Sequence, residues 1–205
     1  MDKNFDKFLI GSVLILILSY FGFLLLGEKV EAQNVTVTAT VTTTVTCTLS
    51  TTTTAFGYID ASAVYTSSPN VTTTVSCNPS SGCQVQINDV GSGTEPGLWN
   101  SSASYLIPSP DAAFNATATL VAGTKGYGIQ AATTTAGSGS VLTLNSRYNQ
   151  TGNTVGGLTT TTIQLASSTS PTANREIVVT HKVAVDGLTP AGSYSDTITY
   201  TCASN

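Results

Sequence analysis

Seventeen consecutive residues, Asn34 to Ser50, read NVTVTATVTTTVTCTLS. Val35, Val37, Ala39, Val41, Thr43, Val45, Cys47 and Leu49 fall on one face of an extended chain, and hydroxyl-bearing Thr36 to Ser50 fall on the other. Strict period-two alternation is the pattern of a half-buried β-strand and is incompatible with an amphipathic helix. At about 3.3 Å per residue the stretch would extend roughly 55 Å, about three times a common strand. Something must divide it. The apolar face weakens at Thr42-Thr43-Thr44, which marks a break. Val45 to Ser50 then begins the domain proper, and Val35 to Val41 is a separate apolar-faced segment in search of a groove. Three readings follow: a strand donated to a neighbour's open edge, a strand folded back on its own domain, or one long strand bent between two sheets.

The residues before this stretch place it outside the cytoplasm. Phe8 to Leu26 is a nearly unbroken apolar run, preceded by Lys3 and Lys7. Val30-Glu31-Ala32 has the small residues that a signal-peptidase site requires, with Gln33 as the new N-terminus. The run is longer than an ordinary signal core and close to the roughly 20 residues that span a bilayer. Residues 1–32 are therefore a cleaved signal peptide or an uncleaved anchor, the latter being the chain's one route to a membrane. All four cysteines, Cys47, Cys77, Cys83 and Cys202, lie beyond it, an even number that favours two disulfides in an exported chain. Their spacing lacks the close-set pairs of a zinc site.

The 173 residues from Gln33 onward contain 37 Thr and 21 Ser but only four Lys or Arg and seven Asp or Glu. So few cations leave no surface to neutralise phosphates, which excludes nucleic acid as a partner. One His and scattered carboxylates leave little for acid–base catalysis, and no nucleophile elbow, zinc-protease helix or phosphate loop occurs. The chain reads as structural, with no enzyme activity and no cofactor or metal.

Short alternating runs separated by Gly, Pro, Asn and Ser predict strands at 34–50, 70–77, 83–88, 114–121, 127–132, 141–145, 159–166, 175–186 and 194–202. The fold class is all-β, an immunoglobulin-like antiparallel sandwich completed by a donor or folded-back N-terminal strand. Its organisation is a leader over 1–32, a donor-type strand and hinge over 33–44, and the sandwich over 45–205. His181 falls on the more apolar face of its strand and reads as a hydrogen-bonded structural residue. Asp196, in register with Tyr194, Ile198, Tyr200 and Cys202, reads as a turn cap. Asn88-Asp89 with Glu95 reads as a polar hairpin tip before a weak calcium site. Trp99, Tyr105, Tyr127 and Tyr148 are the rings available to a sugar platform, though core or turn packing suits them better. Asn-x-Ser/Thr sites stand at Asn34, Asn70, Asn100, Asn115 and Asn149.

Three stretches in order, CTLSTTTTAFGYID (Cys47 to Asp60), NVTTTVSC (Asn70 to Cys77) and AGSYSDTITYT (Ala191 to Thr201), resemble the spore coat protein U-like family, which includes secreted pilin subunits of the chaperone–usher kind. The resemblance covers the first third and the last twenty-odd residues. It implies an incomplete immunoglobulin-like fold, with Val35, Val37, Ala39 and Val41 where such pilins carry the donor strand. It also implies a Cys47–Cys77 bridge, leaving Cys83 to pair with Cys202; the alternative closes NPSSG with Cys77–Cys83 and joins Cys47 to Cys202. The function it implies is an extracellular structural subunit of a filament or surface layer, with copies of itself or related subunits as partners. The alternative is a surface-anchored adhesin for cell-wall or host glycans.

Overall fold

The computed structural model describes residues 11–20, 33–110 and 117–205 and divides the chain into two units, Met1–Val41 and Thr42–Asn205. In the first, residues 11–20 are helical and 33–41 belong to no strand. Most of the leader lies outside the described residues, as does Asn115; no helix among the described residues is long and apolar enough to cross a membrane.

The second unit is an all-β sandwich, with fourteen strands among the described residues, all paired antiparallel. In chain order these are β1 (Val45–Leu49), β2 (Tyr65–Thr66), β3 (Val71–Cys77), β4 (Cys83–Asp89), β5 (Gly97–Asn100), β6 (Tyr105–Pro108), β7 (Thr117–Thr119), β8 (Gly126–Thr133), β9 (Ser138–Gly139), β10 (Thr143–Leu144), β11 (Thr154–Gly156), β12 (Ile163–Ser167), β13 (Thr172–Ala184) and β14 (Ile198–Ser204). One sheet runs β1-β3-β13-β8-β11-β7, with β2 and β9 also paired to the long β13. The other runs β10-β12-β4-β14, and β5 and β6 form a separate hairpin.

The core lies where the two sheets face each other. VTTTVSC in β3 and CQVQIND in β4 bury every second residue, so Val71, Val75, Val85 and Ile87 meet Ile129, Leu165, Ile177, Val179 and Val183. Burial of such aliphatic side chains contributes roughly 1.5–3 kcal/mol each. Thr and Gln at the intervening positions face outward, which is how a domain so poor in charge keeps a polar surface.

Two expectations change. The predicted strand at 34–50 shrinks to Val45–Leu49, because a strand requires a ladder partner and β3 supplies one only as far as Cys77 opposite Val45. Beyond it, the Asn78 amide mimics one more rung: Asn78 N donates to Thr44 O at 3.1 Å, Thr44 N donates to Asn78 Oδ1 at 2.7 Å, and Asn78 Nδ2 donates to Thr42 O at 2.8 Å. The reading of one bent strand crossing between sheets is therefore set aside.

The disulfides are Cys47–Cys202 and Cys77–Cys83, not the pairing the family resemblance implies. Register explains it. Cys47 sits opposite Val75 and Cys77 opposite Val45, so the two cysteines are diagonal neighbours on one sheet face. Diagonal Cα atoms lie about 7–8 Å apart, beyond the usual reach of a disulfide. Both side chains point across the core instead. Cys77 meets Cys83 where the chain passes from one sheet to the other, with Cα atoms 6.4 Å apart; Cys47 meets Cys202 of β14, with Cα atoms 6.1 Å apart. Each bridge staples one sheet to the other.

Candidate strand-binding groove

β1 and β14 are the last strands of their sheets on the same flank, and each pairs on one side only. Register places Val45, Cys77, Cys83 and Ser204 together at one end of the sandwich, the cysteine end. Leu49, Asp89 and Ile198 stand at the other. The inner faces of the flanking strands are unfinished: Leu49 is 36% exposed, and Ile198 and Tyr200 are only half-buried. From this opening a groove of about 1000 Å³ runs away from the cysteine end, walled by residues 51–61 and 185–197 and floored by Val71, Leu98, Tyr127, His181 and Tyr200.

The walls are loops that satisfy their own polar groups. Asp60 Oδ1 accepts from Ser62 Oγ, Ser62 N and Tyr65 Oη, and the Ser62 hydroxyl above all holds its carboxyl below the usual range. Asp186 Oδ1 accepts from Thr189 Oγ1 and Leu188 N, with the same direction of shift, led by Thr189. Phe56 turns inward from the first wall and meets Tyr127 edge-on, ring centroids 6.3 Å apart. Tyr127 in turn stacks on His181 at 6.5 Å. His181 is 5% exposed, its Nδ1 lies 3.5 Å from Ser67 Oγ, and burial lowers its pKa to about 4. It is a neutral structural imidazole.

Behind Asp196 of the second wall lies one polar device that sequence reasoning missed. Asp89, 2% exposed, accepts from Gly91 N at 2.9 Å and Gly97 N at 2.8 Å. The same Gly91 N–H also reaches Asp196 Oδ1 at 3.2 Å, so two carboxylates converge on one donor. Burial, then the hydrogen bond to Asp196 and its charge, push the Asp89 pKa up to about 9. Asp196 Oδ2 is itself buried without a hydrogen-bond partner. The signal was present: Asp89 continues the inward register Cys83, Val85, Ile87, where a carboxylate is out of place unless satisfied. Asp196 caps no turn but accepts backbone N–H groups, Thr197 N at 2.6 Å and Gly91 N at 3.2 Å. The expected hairpin tip is not formed, because β4 and β5 lie in different sheets; Asp89 instead fastens the loop between them from within, while Glu95 is exposed. Among the described residues no group of three or more His, Cys, Asp and Glu is placed to hold a metal ion.

The segment expected to seek a groove is described as far back as Gln33. Val35, Val37 and Val41 are 85%, 86% and 84% exposed, and Ala39 is exposed with them. The four rings of the supposed sugar platform are not brought together. Tyr127 and Tyr148 are core residues, 3% and 0% exposed, while Trp99 and Tyr105 sit half-buried on the β5–β6 hairpin. Tyr105 meets Tyr194 edge-on and lies 4.8 Å beneath Lys125 Nζ. Asn100, one of the glycosylation sites, is 2% exposed.

No protein-family model matches this chain, and comparison with curated proteins finds no relative.

Proposed function

We propose that this chain is an extracellular structural subunit that assembles by strand complementation, the Val35–Val41 segment of one copy filling the groove of the next. The observation that carries the reading is a pair of complementary defects in one chain. The flank between β1 and β14 lacks cover over an apolar groove, and a seven-residue segment lacks cover over a continuous apolar face. Exposed Val side chains on an unpaired strand are an aggregation liability unless something pairs with them.

Asn78 holds Thr42–Thr44 at the cysteine end, whereas the groove opens at the other. A segment leaving one copy at one end and entering the next at the opposite end makes a heterologous contact, which propagates as an open filament. The resemblance to spore coat protein U-like pilin subunits supports an incomplete immunoglobulin-like sandwich of this kind. Two disulfides in a chain of this size suit an oxidising compartment outside the cytoplasm. The glycan-binding alternative is weakened by the burial of Tyr127 and Tyr148.

The test is deletion of residues 33–42 from the exported protein. Negative-stain microscopy should then show folded or amorphously aggregated protein without filaments, while the full chain forms them. Filaments of unchanged appearance from the deleted chain would refute the donor role.

A further inference from the structure

Strand complementation has to specify how far the donated segment goes in, and the Cys47–Cys202 bridge lies across its path. A strand running between β1 and β14 needs two ladder spacings, about 9.6 Å, between its neighbours. At the bridge their Cα atoms are 6.1 Å apart. A strand following only one edge meets the same obstacle, because its inward side chains would occupy the space of the sulfurs. The groove stops accordingly: its innermost lining residues on the flanking strands are Leu49 and Tyr200, each one inward position short of Cys47 and Cys202.

We propose that the Cys47–Cys202 disulfide is the depth stop of the groove and fixes the register of the donated strand, with Val35 against the bridge and Val41 at the mouth. The proposal rests on the strand-complementation reading. Lengths agree with it. From Cys202 back along β14 to Asp196, a residue of the groove wall, is six residue steps, roughly 20 Å of extended chain, and Val35 to Val41 is also six steps. Direction follows from attachment. Val41 is tied through the Asn78-held Thr42–Thr44 to its own sandwich, so the N-terminal tip travels deepest and the donor runs antiparallel to β14. Cleavage after Ala32 would leave only Gln33 and Asn34 beyond Val35, which is as little as the stop permits.

A diazirine analogue of leucine placed at position 35 or position 41 of the full chain, irradiated in assembled material and mapped by mass spectrometry, reads the register directly. Position 35 should cross-link to Leu49 or to Tyr200–Cys202 of another copy, and position 41 to residues 186–197. Cross-links between copies with the two positions interchanged, or with position 35 reaching Ala203–Asn205, would leave strand complementation standing and overturn the stop. Absence of any cross-link between copies would overturn both. In C47A/C202A the position-35 cross-links should shift inward toward Ala203–Asn205; if they stay at Tyr200, the bridge does not set the depth. Should that variant fail to fold, the wild-type map alone still decides.

Discussion

Replacing Asp196 with Asn should stabilise the sandwich at neutral and alkaline pH and weaken the decline of its stability with rising pH. Asp89 is almost fully buried, and its carboxyl retains a proton until about pH 9 because burial and Asp196 both oppose its ionisation. In the unfolded chain the same group ionises near its model value of 3.8. Between those values the folded chain holds one proton that the unfolded chain has released. The stabilisation is therefore complete below about pH 4 and declines by about 1.4 kcal/mol per pH unit as pH rises toward 9. Above about pH 6.5 that decline is unopposed, whereas between pH 5 and 6.5 the buried His181, whose pKa is lowered from 6.5 to about 4, adds a rise of similar slope that offsets it. In D196N the new amide nitrogen takes the position of Oδ2, which accepts from no protein donor, and donates to Asp89. Asp89 then loses the opposing charge, but burial, the largest cause of its raised pKa, remains, so the slope is confined to a narrower pH range. Asp60 and Asp186 act with the opposite sign, but only below about pH 4, because their carboxyls are shifted downward. Urea unfolding of both proteins at pH 5, 6.5 and 8 is the assay. A wild-type curve level from pH 6.5 to 8, or an equal decline there in D196N, would refute the coupling of the two carboxyls.

Three further outcomes are expected. Removing Cys47–Cys202 by paired Ala substitutions releases a loop with a sequence separation of 155, which costs about 5 kcal/mol by chain entropy. Removing Cys77–Cys83, with a separation of 6, costs about 2 kcal/mol plus lost packing; a long-loop variant within about 1 kcal/mol of wild type in urea melts would contradict the entropy argument. The His181 imidazole, the chain's sole histidine, should show constant NMR shifts from pH 8 down to pH 5, since its pKa is lowered to about 4; a midpoint near the ordinary 6.5 would mean that it is not buried. Gly157→Ala would put a Cβ onto the Pro110 carbonyl oxygen, beside the carbonyl that accepts from the buried Tyr148 Oη at 3.1 Å. A loss of about 3 kcal/mol or more is expected by thermal melting, and an unchanged midpoint would show that the two segments separate freely.

Alternation was enough to place β3, β4 and β13, because there both faces do what the letters say: one enters the core and the other meets solvent. The same alternation at 34–44 describes a face without saying what covers it, and no ladder partner for it is present among the described residues. The β5–β6 hairpin was illegible because Gly-Leu-Trp-Asn and Tyr-Leu-Ile-Pro do not alternate. Only pairing with each other, and the Trp99–Ser195 bridge, makes them strands. Disulfide connectivity depended on register, a long-range quantity, and a one-step diagonal offset was enough to redirect all four cysteines. The apolar strip from Val35 to Val41 was legible without the groove. The groove walls at 51–61 and 185–197 were not, being irregular loops shaped by Asp60 and Asp186.

The short Cys77–Cys83 link also bears on how the chain matures. Ring-closure probability falls as about the three-halves power of loop length, so Cys77 encounters Cys83 roughly tenfold more often than it encounters Cys47, thirty residues away. The first oxidation therefore favours the native pair, and once it has formed Cys47 has only Cys202 left to find. That second encounter needs both sheets in place, so its sulfurs stay reduced until the sandwich has closed. Thiol labelling during oxidative refolding should find Cys47 and Cys202 as the last to disappear, marking the moment at which the groove acquires its inner end.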